Sequence, residues 1–174
     1  MQSILGSEYD VINEGMCDRT GFIDNPNGFL FSGAKHFPEF ISETKNVDIL
    51  ILWIGTNDLM FKYNITESEI EKGLENLIKS AQTKTKNIVI IPPVILSEKI
   101  LEGYFGDRFN ETSIKKSREI GRIFKTLAKI HHCSFFDVNN FVTPSLVDGL
   151  HYDENSHKII AGQLAKLIKN EFQP

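Results

Sequence analysis

Apolar and polar positions change period several times along the chain, and each change marks an element. From Val47 to Ile54 the residues Val-Asp-Ile-Leu-Ile-Leu-Trp-Ile are nearly continuously apolar, and the run halts at Gly55-Thr56-Asn57-Asp58. Continuous rather than alternating hydrophobicity predicts a central parallel strand covered on both faces. Asn87 to Ile91 repeats the pattern and is stopped by Pro92-Pro93, whose nitrogens cannot donate to a ladder. Tyr9 to Asn13 and Ser134 to Val138 read as two shorter strands. Between these runs the period becomes helical. One helix is predicted from about Ala34 to Thr44. A second opens on Thr66-Glu67-Ser68-Glu69, the spacing of a capping box, and buries Ile70, Leu74, Leu77 and Ile78. A long helix is expected from about Glu111 to His131, burying Ile120, Ile123, Phe124 and Leu127. A last one, from about Glu154, faces Ile160, Leu164, Leu167 and Ile168 inward. Strands alternating with helices argue an α/β fold with a parallel sheet covered on both faces.

Two stretches lack a period. Residues 21–33 gather Gly21, Asn25-Pro26-Asn27-Gly28 and Gly33, which predicts an irregular connection. Residues 94–110 set Tyr104, Phe105 and Phe109 among Gly103, Gly106 and Asp107. A loop of that length is expected to border a cleft.

A chain of 174 residues, 41% hydrophobic and 24% charged, is expected to form a single domain over residues 1–174. Its formal charge of -4 gives no electrostatic reason for nucleic acid or anionic membrane as a partner. No apolar run approaches the roughly 20 residues of a membrane span, and Met1 to Ser7 lack the regions of a signal peptide, so a cytoplasmic location is the expectation. Cys17 and Cys133 are expected to be free thiols. His131 and His132, at the end of the long helix, read as structural.

Candidate chemistry sits where buried strands end. Ligands of open α/β sheets bind outside the carboxyl ends of the strands, which places Asn57 and Asp58 at a site. Between the last strand and helix, Asp148-Gly149-Leu150-His151 sets an acid three residues before a histidine. A catalytic histidine needs such a partner to fix its tautomer. Asn, Asp and Gly also dominate turns for backbone reasons, so neither stretch is decisive alone.

Taken together and in order, these pieces resemble the SGNH, or GDSL-type, hydrolases, particularly their arylesterase and acetylhydrolase-like branch. Val11 to Thr20 is similar to that branch's second block, Gly55-Thr56-Asn57-Asp58 to its third and Asp148-Gly149-Leu150-His151 to its last. The resemblance implies a flavodoxin-like three-layer α/β/α fold and a serine-type hydrolase of acyl or acetyl esters working through an acyl-enzyme. It implies His151 as general base and acid, Asp148 as its orienting partner, and an oxyanion hole formed by the Asn57 side chain and the Asp18 backbone N–H. The substrate would be a small-molecule ester, with no cofactor and no metal.

Two departures qualify the resemblance. Asp18 stands where the family often has Gly, and its carboxylate should point away from an oxyanion or pair with Arg19. The first block, a strand ending in Gly-Asp-Ser with the nucleophilic serine, has no counterpart. About 30 residues, one strand-plus-helix unit, are expected to be missing, with Met1 to Leu5 as the end of that helix. The missing strand would lie between residues 9–13 and 47–54, and a homo-oligomer is expected if a second copy compensates for it. Ser7 and Ser32 do not follow a buried strand, Asp107 is followed by Arg rather than Ser, and Cys17 reads as a packed thiol. A non-catalytic remnant or binding module that keeps the cleft is the competing expectation. A nucleotide-binding or receiver module shares the architecture but needs a glycine-rich phosphate loop or acidic metal cluster that this chain lacks.

Overall fold

A computed structural model describes residues 1–45 and 47–172. Three parallel strands, β1 (Leu50–Trp53), β2 (Ile88–Ile91) and β3 (Ser134–Phe135), lie side by side in that order. Leu50 aligns with Ile88 and Trp53 with Ile91, while Val89 and Ile90 align with Ser134 and Phe135. All four residues of β2 are fully buried. Their side chains alternate between two cores, as the pleat requires.

Ile88 and Ile90, with Leu50 and Leu52 of β1, face the larger core. The helices α2 (Gly33–Glu43), α3 (Glu67–Gln82), α4 (Glu111–Glu119) and α5 (Gly121–Ile130) contribute to it Ile41, the stripe Ile70, Leu74, Leu77 and Ile78, then Ile114, and then Ile123, Phe124 and Leu127. Val89 and Ile91 face the smaller one, which α6 (Glu154–Glu171) and the short α1 (Gln2–Leu5) close with Ile160, Leu164, Ile168 and Leu5. Helices therefore pack around both faces of a small open parallel sheet. Thr66 caps α3, with Glu69 returning the bond in the expected capping box. Among the described residues, no helix is long and apolar enough to cross a membrane.

Several expectations need correction. The run from Val47 to Ile54 pairs only over Leu50–Trp53, and it is an edge strand rather than a central one. Leu50 and Leu52 are buried, but Trp53 is 39% exposed. Leu50 N–H donates to the Asn87 carbonyl, so by alternation the backbone groups of Ile51 and Trp53 point toward the open edge. Ahead of Leu50, side chains replace the ladder: Thr85 Oγ1 and Asn87 Nδ2 both donate to the Asp48 carbonyl, at 2.8 and 3.1 Å.

Tyr9 to Asn13 keep an alternating pattern without forming a strand. Tyr9 and Val11 pack on the smaller core while Ile12 is exposed. Their backbone partner is the Gln2 side chain, which donates to the Tyr9 carbonyl at 2.7 Å and accepts the Val11 N–H at 2.8 Å. One amide thus satisfies what a neighbouring strand would otherwise satisfy.

The long helix divides in two. Ile120 ends α4 in a turn conformation, and the Ile123 N–H reaches back three residues to its carbonyl. Gly121, about 1 kcal/mol poorer than Ala in a helix, opens α5. Cys17 and Cys133 are free thiols as expected, but Cys17 is exposed rather than packed.

Candidate functional site

The tip of β1 turns sharply at Gly55, where an added Cβ would stand 2.8 Å from the Phe22 ring. The chain then forms a 3-10 turn over Asn57–Leu59. Asp58 in this turn is fully buried. Its carboxylate accepts three backbone N–H groups, from Gly21 at 2.6 Å, Phe22 at 2.8 Å and Ile23 at 3.2 Å. Burial pushes the Asp58 carboxyl up to about 6, against the pull of those three bonds. Phe22 completes the junction, seated against Gly55 and against Gly73 of α3, with its ring edge-on to Phe124 at 6.1 Å. The segment containing Asp18 and Arg19 is thereby fixed to the end of β1.

Asn57 reaches the same segment, its Nδ2 donating to the Arg19 carbonyl at 3.0 Å. Asp18 has φ of +59°, a left-handed conformation that Gly adopts without cost and that Asp tolerates better than most residues. Its carbonyl accepts from Asn25 Nδ2 at 2.8 Å. Its side chain pairs with Arg108, at 3.6 Å, rather than with Arg19. Arg19 is engaged with the carbonyls of Leu30 and Glu14.

On the other side, the loop before α6 folds Asp148 back on His151. Asp148 Oδ1 accepts the Leu150 and His151 N–H groups, both at 2.9 Å, and Oδ2 lies 2.7 Å from His151 Nδ1. Gly149 between them has φ of +71°. Burial raises the Asp148 carboxyl, but the bonds from the His151 ring and the two N–H groups outweigh it and hold the carboxyl below its ordinary value. An ionised Asp148 can only accept, so the neutral His151 ring carries its proton on Nδ1 and leaves Nε2 as a free lone pair. The His151 side chain is 63% exposed.

Two aromatic bridges relate these halves. Phe105 lies 5.4 Å from the His151 ring, and the Arg108 guanidinium sits 5.7 Å from the Phe105 centroid while pairing with Asp18. Trp53, at the end of β1, lies 6.1 Å from Tyr152, the residue after His151. Among the described residues the buried Tyr152 hydroxyl has no hydrogen-bond partner, and burial, then the nearby Asp137 charge, pushes it up. Residues 94–110 are well anchored: Leu96 N–H donates to Ser117 Oγ, Phe61 N–H to the Arg108 carbonyl, and Phe109 is buried. The tip around Tyr104, 76% exposed, projects from this segment.

No serine, threonine or cysteine side chain hydrogen-bonds to His151 among the described residues. Ser32 is buried, its hydroxyl turned to the Ile23 carbonyl and Asp24. Among the described residues no group of three or more His, Cys, Asp or Glu is placed to hold a metal. The sequence places Asp58 at the site but without a role, and it gives Arg108 neither. Asp58 lies in the Gly55-Thr56-Asn57-Asp58 block, where the resemblance assigns a role to Asn57 alone, and Arg108 in a loop read for its aromatic residues.

The open parallel sheet thus carries polar side chains at the tip of β1 and an Asp–His pair in the loop before α6. A model of the GDSL-like lipase/acylhydrolase family matches residues 2–159, and the chain belongs to that family. Among solved structures it is similar to the inhibitor-bound aryl esterase of M. smegmatis, at 25% identity and a TM-score of 0.89, over 97% of this chain and 82% of that one. It shares the fold of Est24, a carbohydrate acetylesterase from Sinorhizobium meliloti, at 23% identity and a TM-score of 0.83, over 98% and 83% of the two chains. Comparison with curated proteins gives no match.

Proposed function

We propose that residues 1–174 carry the acid–base and oxyanion half of a serine-type carboxylic ester hydrolase acting on small acyl or acetyl esters. In this reading a serine Oγ attacks the ester carbonyl while His151 Nε2 takes its proton. His151 then gives that proton to the departing alkoxide, leaving an acyl-enzyme. Water repeats the sequence and releases the acid. Asp148 holds the tautomer and stabilises the imidazolium. The oxyanion takes hydrogen bonds from the backbone N–H of Asp18 and from Asn57 Nδ2, whose second hydrogen is not used by Arg19. Asp18 N–H has no acceptor among the described residues, which suits that role. The observation that carries the reading is the 2.7 Å contact between ionised Asp148 and His151 Nδ1.

The nucleophile is proposed to lie on a segment not included in this sequence, which contains no Gly-Asp-Ser. The fold is then a flavodoxin-like three-layer α/β/α domain whose first strand is missing, and the open edge of β1 is where that strand belongs. A second reading, a binding module that retains the cleft, draws support from the lack of any hydroxyl or thiol bonded to His151 among the described residues.

A serine-reactive fluorophosphonate separates these readings. The 174-residue chain should not be labelled. A version extended by an upstream strand ending in Gly-Asp-Ser should be labelled, and His151→Ala should abolish the labelling. Stoichiometric labelling of the 174-residue chain would overturn the proposed location of the nucleophile, and an unlabelled extended version would favour the binding module.

A further inference from the structure

The loop tip facing His151 holds a cation whose side-chain N–H groups make no hydrogen bond among the described residues. Arg108 has its backbone fixed at both ends, N–H to the Phe105 carbonyl and carbonyl to the Phe61 N–H. Its guanidinium lies 5.4 Å from the Tyr104 ring centroid and 5.7 Å from that of Phe105. The charge is balanced by Asp18 at 3.6 Å and Asp107 at 4.0 Å, distances of ion pairing rather than hydrogen bonding. None of its five N–H groups donates a hydrogen bond among the described residues, and the side chain is 34% exposed. Stacking on aromatic rings holds the planar fork in place without using its donors.

The position of this fork matters more than its charge. Asp18 lies on one side of it, and Phe105 joins it to His151 on the other. An ester whose carbonyl oxygen meets Asp18 N–H, and whose leaving oxygen meets His151, carries its alcohol portion toward Arg108 and the exposed Tyr104. A carboxylate there would face Asp18 and Asp107 as well as one arginine, so net charge disfavours an anionic alcohol portion. Neutral adjacent hydroxyls meet no such repulsion, and they match both the unused N–H fork and the oxygens of Asp18. We propose that Arg108 is a specificity-determining residue that selects esters of neutral polyhydroxy alcohols, such as acetylated sugars, with Tyr104 as the adjoining aromatic platform. The proposal rests on the ester-hydrolase reading of the site.

The test titrates the isotope-labelled full chain with three acetates, following the amide signals of Asn57 and His151: methyl 3-O-acetyl-β-xylopyranoside, phenyl acetate and acetylsalicylate. Ester integrity is read in the same spectra, and where turnover occurs the ratio of kcat/KM values replaces the ratio of Kd values. The preference for the sugar ester over phenyl acetate should fall about 5- to 10-fold in Arg108→Met, which keeps the stem. That is somewhat below the range for hydrogen bonds to a charged group, because the fork is partly exposed. Arg108→Lys should recover only part of the preference, since the bidentate geometry is lost. An unchanged ratio in Arg108→Met overturns the proposal while leaving the ester site standing. Tightest binding of acetylsalicylate, lost in Arg108→Met, also overturns it and makes Arg108 a carboxylate receptor. If none of the acetates moves the Asn57 and His151 signals, the ester-site reading fails and the proposal with it.

Discussion

Replacing Asp58 by Asn should separate the stability of the fold from the order of the loop that carries Asp18. The wild-type carboxyl is raised from 3.8 to about 6 because burial outweighs its three N–H bonds. Between those values the folded chain binds more protons at this site than the unfolded chain, so stability falls as pH rises through that window and levels off above it. The rise corresponds to about 3 kcal/mol lost from wild type between pH 3.8 and 6. An amide has no such titration. The stability difference between Asp58→Asn and wild type should therefore shift by about 3 kcal/mol in favour of the variant between pH 3.5 and pH 7. Urea unfolding at several pH values measures it. The amide cannot accept three N–H groups as the carboxylate does, since its Nδ2 only donates. Amide exchange of Gly21, Phe22 and Ile23 should accordingly quicken by about fivefold or more at pH 7, one lost hydrogen bond being worth about 1 kcal/mol or more. A stability difference that is flat with pH, or that moves in favour of wild type as pH rises through the acid range, would refute the reasoning and show the N–H bonds at least as strong as the burial they oppose.

Asp148→Asn should lower turnover of an extended, labelled form by about four orders of magnitude, measured as hydrolysis of phenyl acetate, because the amide favours the wrong His151 tautomer. The Asp148 carboxyl is held low in the folded chain, so its stabilising contribution is complete above its ordinary 3.8 and lost as pH falls below that; Asp148→Asn should remove this acid-side loss from denaturation curves. Gly149→Ala should cost about 2–4 kcal/mol in urea unfolding, because φ is +71° and the new Cβ would stand 2.5 Å from Ile100 N. Adding a strand against the open edge of β1 should raise the unfolding midpoint, whereas an unchanged midpoint and a cooperative monomer without it would argue that the edge needs no partner.

The legible parts of this molecule were those encoded in short-range chemistry. The capping box at Thr66, the α3 stripe and the proline stop after Ile91 each rest on a few neighbouring residues. The Asp148–His151 contact spans three residues of one loop and was visible for the same reason. What stayed hidden depends on partners distant in sequence. The apolar run at Val47–Ile54 reads the same at an edge or at the centre, because hydrophobicity reports burial of side chains and not the pairing of backbone edges. Tyr9 to Asn13 have the alternation of a strand, yet a ladder also needs a neighbour, and the Gln2 amide occupies that place. Asp58 and Arg108 act across 35 or more residues, on Gly21 to Ile23 and on Asp18, and no local pattern announces such contacts.

The seating of Phe22 between two glycines has a consequence for anyone who would stabilise this chain. Gly73 lies in the middle of α3, a position where replacement by Ala gains about 1 kcal/mol in helix propensity and is a routine choice. Here the added methyl would stand 2.5 Å from Phe22 Cβ, so Phe22 must withdraw from α3. Phe22 is also one of the three residues gripped by Asp58, and its retreat pulls on the segment that carries Asp18. A methyl group on a helix that touches none of the candidate site residues would thus be felt as a loosening of the loop that carries Asp18. Thermal screening alone would score such a variant on its helix and miss what it had done to that loop.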